Sequence, residues 1–168
     1  MPSDFTIIQP VRQRFGDDDP EFSLPQELEA PFVGAAKDFR FECPGVDSSE
    51  MAVLQFESLG VRAGSFQPFV VPQPPPRNIL RINDVDIPGG LTPATAERIG
   101  ERVQNFWKSH TLLVPANVLR EQNVLHIAAV KFGLTTNQTN LDNFLVDNVV
   151  IHFKLRSGTT TQPPVVQG

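Results

Sequence analysis

Three strand-like runs follow one another between Ile79 and Leu155, and the punctuation between them restricts what the chain can fold into. Ile79–Ile87 reads as a strand, a tight turn at Asn83-Asp84 and a short return strand. Asn and Asp suit such a turn because they tolerate left-handed backbone. Thr111–Val130 reads as a strand, a turn-like corner (VPANVLREQN) and a long apolar strand. Phe144–Leu155 closes the set. In it Val149, Ile151, Phe153 and Leu155 alternate with Val150, His152 and Lys154, the two-residue period of a strand with one face in the core. Runs joined this tightly pair antiparallel, so the expected class is all-β.

Upstream, Phe39, Phe41 and Cys43 alternate with Arg40 and Glu42, and Pro44-Gly45 with Asp47-Ser48-Ser49 turns the chain into a second strand, Ala52–Ser58. Phe5–Ile8 and Phe66–Val71 are further short strands, and the linker PQPPPRN is extended and stiff. Residues 9–31 form an irregular arm rich in proline, which removes a ladder donor wherever it falls. One segment reads as helical. Over 92–107 Thr92 is the N-cap, Pro93 the first helical residue, and Ala96, Ile99, Val103 and Phe106 an apolar stripe that Gly100 weakens.

The chain of 168 residues suits one domain, and its net charge of −5 comes with no Lys/Arg cluster, so nucleic acid is not an expected partner. Cys43 is the only cysteine, which excludes an internal disulfide and a thiolate metal cluster. A small buried apolar role suits it better than a reactive one, since no basic neighbour stands by to lower its pKa. No basic-then-apolar signal segment opens the chain, and no run nears the ~18 apolar residues of a membrane span. That leaves the compartment undefined, with an extracellular or assembly-associated setting favoured. Thirteen Phe, one Trp and no Tyr point to a packed scaffold rather than a broad aromatic platform.

Four stretches carry a family resemblance: AVLQFESLGVRA (52–63), LRINDVDIPGG (80–90), LLVPANVLREQNVLHIAA (112–129) and DNFLVDNVVIHF (142–153). Together, over residues 50–155, they resemble a galactose-binding-domain-like jelly roll, the β-sandwich of many carbohydrate-binding modules. Asp84 replaces the hairpin glycine of that pattern, and Gln122 stands where its corner glycine often falls. The resemblance implies an antiparallel jelly-roll β-sandwich, to which the residue patterns above add one short helix, at about 92–107, and extended terminal arms. Residues 1–35 would be an N-terminal arm with a short edge strand, 36–156 the sandwich and 157–168 a flexible tail.

The most site-like cluster is Phe106 to His110, where Trp107 can stack on a sugar ring and His110 bond a hydroxyl. The bland reading has Trp107 capping the core and His110 starting a strand. Asn83 and Asp84 can add polar groups beside them, or serve only as hairpin residues. The resemblance implies a structural calcium near the start of the last strand, at Asp142 and Asp147. Those residues, with Asn143 and Asn148, equally suit backbone groups at strand edges and turns. Asp17-Asp18-Asp19 diverge as consecutive side chains and read as a solvated turn. His126 and His152 lack zinc-ligand spacing, and Asn137-Gln138-Thr139 fits a glycosylation sequon. No nucleophile or nucleotide motif is present, and Glu42, Glu50, Glu57, Glu97 and Glu101 do not pair into a glycosidase centre, so no enzyme is expected.

Two functions follow as expectations. The first is a non-catalytic glycan-binding module. The second is a structural or assembly protein, a subunit of a shell, virion or filament, that forms homo-oligomers through its N-terminal arm.

Overall fold

The computed structural model describes residues 2–17, 30–63, 76–93, 106–131 and 141–158, together with the backbone of 97–99 and 102–104. The expected strand at Phe66–Val71, the sequon, Asp18-Asp19 and most of the C-terminal tail lie outside the described residues. In chain order the strands are β1 (Ser3–Gln9), β2 (Gln13–Phe15), β3 (Phe32–Gly34), β4 (Ala36–Glu42), β5 (Ala52–Leu59), β6 (Ile79–Ile82), β7 (Val85–Asp86), β8 (Glu97–Ile99), β9 (Arg102–Gln104), β10 (Lys108–Val114), β11 (Gln122–Ala128) and β12 (Phe144–Lys154). No helix occurs among the described residues.

The strands form two main sheets. In the first, β10, β5 and β12 lie side by side, and the far edge of β12 is shared. Its opening residues Phe144–Val146 pair with β2, and Val149–Lys154 pair with β1. β3 runs parallel to β2. The second sheet has the order β4-β11-β6-β7 and is antiparallel throughout. Alternate side chains from both sheets meet in one cluster: Leu54, Phe56, Val146, Ile151 and Phe153 from the first, Phe39, Phe41, Leu80, Ile82, Leu125 and Ile127 from the second. Phe15 stacks on Phe144 at 5.3 Å and reaches the Phe39 ring across the interior at 6.4 Å. Burying each such side chain contributes about 1.5–3 kcal/mol, which is what holds the sheets face to face.

A bulge in β12 reconciles two incompatible alternations. Phe144 and Val146 point inward from even positions, whereas Val149, Ile151 and Phe153 point inward from odd ones. One extra residue must separate the sets, because a strand alternates faces strictly. The β5 pairing supplies it: Asp147 lies opposite Glu57 and Val150 opposite Gln55, with Asn148 between them at φ 53°.

The hairpin and the corner read in the sequence are one hydrogen-bonded unit. Asn83 and Asp84 link β6 to β7 with φ of 50° and 66°. Asn83 Oδ1 accepts from Val124 N at 3.0 Å, and its amide donates to Val118 O and Asn123 Oδ1, each at 2.8 Å. Asn123 in turn accepts from Arg120 N and donates to Arg120 O. Two asparagines therefore satisfy the backbone groups that the corner leaves unpaired.

The structure corrects the helix expected over 92–107. Within it, β8 and β9 pair antiparallel, Glu97 opposite Gln104 and Ile99 opposite Arg102. A helix this short is marginal unless a packed face supports it, and Gly100 removes about 1 kcal/mol. The two residues between the strands, Gly100-Glu101, are a hairpin signal that the helical period hid. The residues read as an N-terminal arm supply β1, β2 and β3 to the six-stranded sheet, with Ile8 and Phe15 in the core.

Candidate functional site

β10 separates the two residues that the sequence places together. Lys108 pairs with Ser58 and His110 with Phe56, so His110 points into the sandwich and is only 5% exposed. Its ring stacks on Phe56 at 4.4 Å, and its Nε2 is hydrogen-bonded to Ser58 Oγ at 2.8 Å. Burial, aided by the nearby Lys108 charge, pushes its pKa down to about 4. His110 is thus a neutral core residue near pH 7. Trp107, half-buried, precedes the strand by one residue and is not stacked with His110, whose ring partner is Phe56. The Arg12 guanidinium sits over the indole at 4.8 Å while its Nε donates to Asp147 Oδ2 at 3.2 Å.

Asn83 belongs to the corner described above, and Asp84 is exposed at the hairpin tip in the other sheet. The four residues proposed from sequence are therefore not brought into one site. Asp142 is fully buried and acts as a latch. Its Oδ2 accepts from Arg62 N (3.0 Å), Ala63 N (2.9 Å) and Asn78 Nδ2 (2.7 Å). Asn78 Oδ1 accepts from Val130 N, and Val130 O from Asp142 N. Asp142 and Asn78 together thereby tie the exit from β5, the approach to β6, the exit from β11 and the entry to β12. Asp147 accepts from Arg12 and from Asn148 N. The oxygens of Asp142 and Asp147 are committed to N–H donors of separate partners, which does not fit a shared calcium needing those lone pairs. Among the described residues no group of three or more His, Cys, Asp or Glu is placed to hold a metal ion. Cys43 is buried, and desolvation raises its thiol pKa to about 12, far from a thiolate.

A different place has the shape of a binding site. Along the β4–β11 pair, Arg40, Glu42, Gln122 and Val124, with Phe41 and Asn123 beneath, line a groove of about 300 Å³. The register sets it: Val124 lies opposite Arg40, and Gln122 opposite Glu42. Phe41 and Asn123 point into the core, so the other four present a polar, exposed outer face with Val124 as its apolar centre. Farther along the same face His126 Nδ1 lies 2.6 Å from Asp38 Oδ1, and Arg81 Nε donates to Asp86 Oδ1 at 2.6 Å. A volume near 300 Å³ is at the small end of ligand sites and suits a sugar-sized unit. Sequence alternation already turned Arg40 and Glu42 outward, but their partner strand lies some 80 positions away and no local signal names it.

Comparison with protein-family models, with curated proteins and with solved structures finds no match.

Proposed function

We propose that the chain is a non-catalytic glycan-binding β-sandwich of the jelly-roll kind, with its site in the β4–β11 groove. Strand order supports the topology. Leaving out the short accessory strands, the sheets read β1-β12-β5-β10 and β4-β11-β6-β7. Apart from the β6–β7 hairpin, strands successive in sequence cross between the two sheets, as paired Greek keys require. The groove carries the functional reading: a carboxylate, an amide and a guanidinium on adjacent rungs offer both acceptors and donors to hydroxyls, around an aliphatic patch for a ring face. Each direct hydrogen bond to a hydroxyl is worth about 1 kcal/mol.

A glycan array followed by calorimetry on the best binder tests this. Glu42→Ala and Gln122→Ala are expected to weaken binding several-fold to tenfold each, while Trp107→Ala leaves it within about twofold. Absence of any bound glycan, or a loss seen only with Trp107→Ala, would defeat the proposed site.

The assembly reading keeps one observation in its favour. On the outer face of the six-stranded sheet, register places Phe5, His152, Val53 and Leu113 in one row across four strands. Phe5 is 38% exposed and Leu113 56%. A row of this kind is a natural surface for self-association. Light scattering over a range of concentrations separates the readings, since a monomer throughout removes the support for assembly.

A further inference from the structure

If the groove takes a glycan, as proposed above, its charged side chains set the charge of that ligand. On the outer face of the four-stranded sheet, Arg81 and His126 each have a carboxylate beside them: Arg81 Nε lies 2.6 Å from Asp86 Oδ1, and His126 Nδ1 lies 2.6 Å from Asp38 Oδ1. Arg40 differs. Among the described residues it makes neither an ion pair nor a hydrogen bond, although Glu42 stands two positions along the same face of β4. Its guanidinium is an exposed fork of N–H donors on the wall of the groove, opposite Val124.

A planar fork of this kind matches a carboxylate, which it holds through two parallel hydrogen bonds. Residues two apart on a strand lie about 6.8 Å from each other, so Arg40 and Glu42 can reach opposite sides of a single sugar ring. Glu42 repels a second negative charge at its end, which leaves that end to hydroxyls. The chain's net charge of −5 disfavours indiscriminate capture of polyanions, so attraction on this wall of the groove acts at short range, through the Arg40 guanidinium. Two adjacent charges of opposite sign fit a ring bearing one carboxylate and several hydroxyls better than a dianionic phosphate.

We infer that the groove binds an acidic glycan, one containing uronate rings, with Arg40 on the ring carboxylate and Glu42 and Gln122 on its hydroxyls. The test uses polygalacturonate, alginate and hyaluronate, each beside its carboxyl-esterified form, in affinity electrophoresis or calorimetry. The native chain should bind at least one acid form roughly tenfold more tightly than its ester. Arg40→Gln should abolish that preference, and Arg40→Lys, which keeps the charge and loses the fork, should retain part of it; an unaltered circular dichroism spectrum verifies that the variants fold. Equal binding of acid and ester forms, or a preference that survives Arg40→Gln, overturns the inference and leaves the glycan reading standing. Binding of none of these polymers and of no neutral glycan overturns both.

Discussion

At position 110 the strand period turns a histidine inward, where Phe56 stacks on it and Ser58 bonds Nε2. The consequence is a pH dependence of stability with a definite sign. The unfolded chain takes up a proton at this residue near pH 6.5, whereas the folded chain resists until about pH 4. The contribution is therefore complete above pH 6.5, is lost as pH falls through the window from 6.5 to 4, and levels off below it. Its size is about 3 kcal/mol at most. His110→Phe is expected to flatten this segment of the profile, read as urea midpoints at pH 7.5 and 4.5; an unchanged slope would assign the acid sensitivity elsewhere. The same period explains why Trp107 and His110 do not cooperate. Trp107 lies just outside β10, under the Arg12 guanidinium, whereas His110 lies within the strand and faces the core, a separation concealed while 92–107 reads as helix.

Among the elements, the β6–β7 hairpin was legible because its turn chemistry is local. Both central residues sit at positive φ, which Asn tolerates and Asp accepts at some cost. Asp84→Gly should raise the melting temperature, with a gain of up to about 1 kcal/mol after the added flexibility of the unfolded chain is counted. A lower melting temperature would show that the Asp84 side chain contributes more than its backbone strain removes. Asn83 offers no such freedom, since its amide bridges β6 to the corner. The β8–β9 ribbon is hidden for the opposite reason: a stripe at three- and four-residue spacing over a short segment satisfies two periods, and pairing decides between them. The bulge at Asn148 was half legible. Inward residues of both parities stand in Phe144–Lys154, yet only pairing with β5 shows where the extra residue goes.

For the molecule as a whole, the N-terminal residues are structural members of the sandwich. β1 pairs with β12 from Ser3 to Gln9, and its Ile8 lies in the core. Deleting residues 2–9 should thus lower the urea midpoint sharply and broaden the transition, instead of merely altering oligomeric state; a midpoint equal to the full chain's would restore the view of this segment as an arm. Taken alone, the sequence determined the all-β class, most of the strands and which side chains face the interior, because alternation, turn residues and proline act over a few positions. It could not determine the groove, the Asp142 latch or the isolation of Trp107 from His110. Each depends on which distant strands become neighbours, and that choice is made by burying both apolar faces against each other, a free energy belonging to the assembled core and to no single segment.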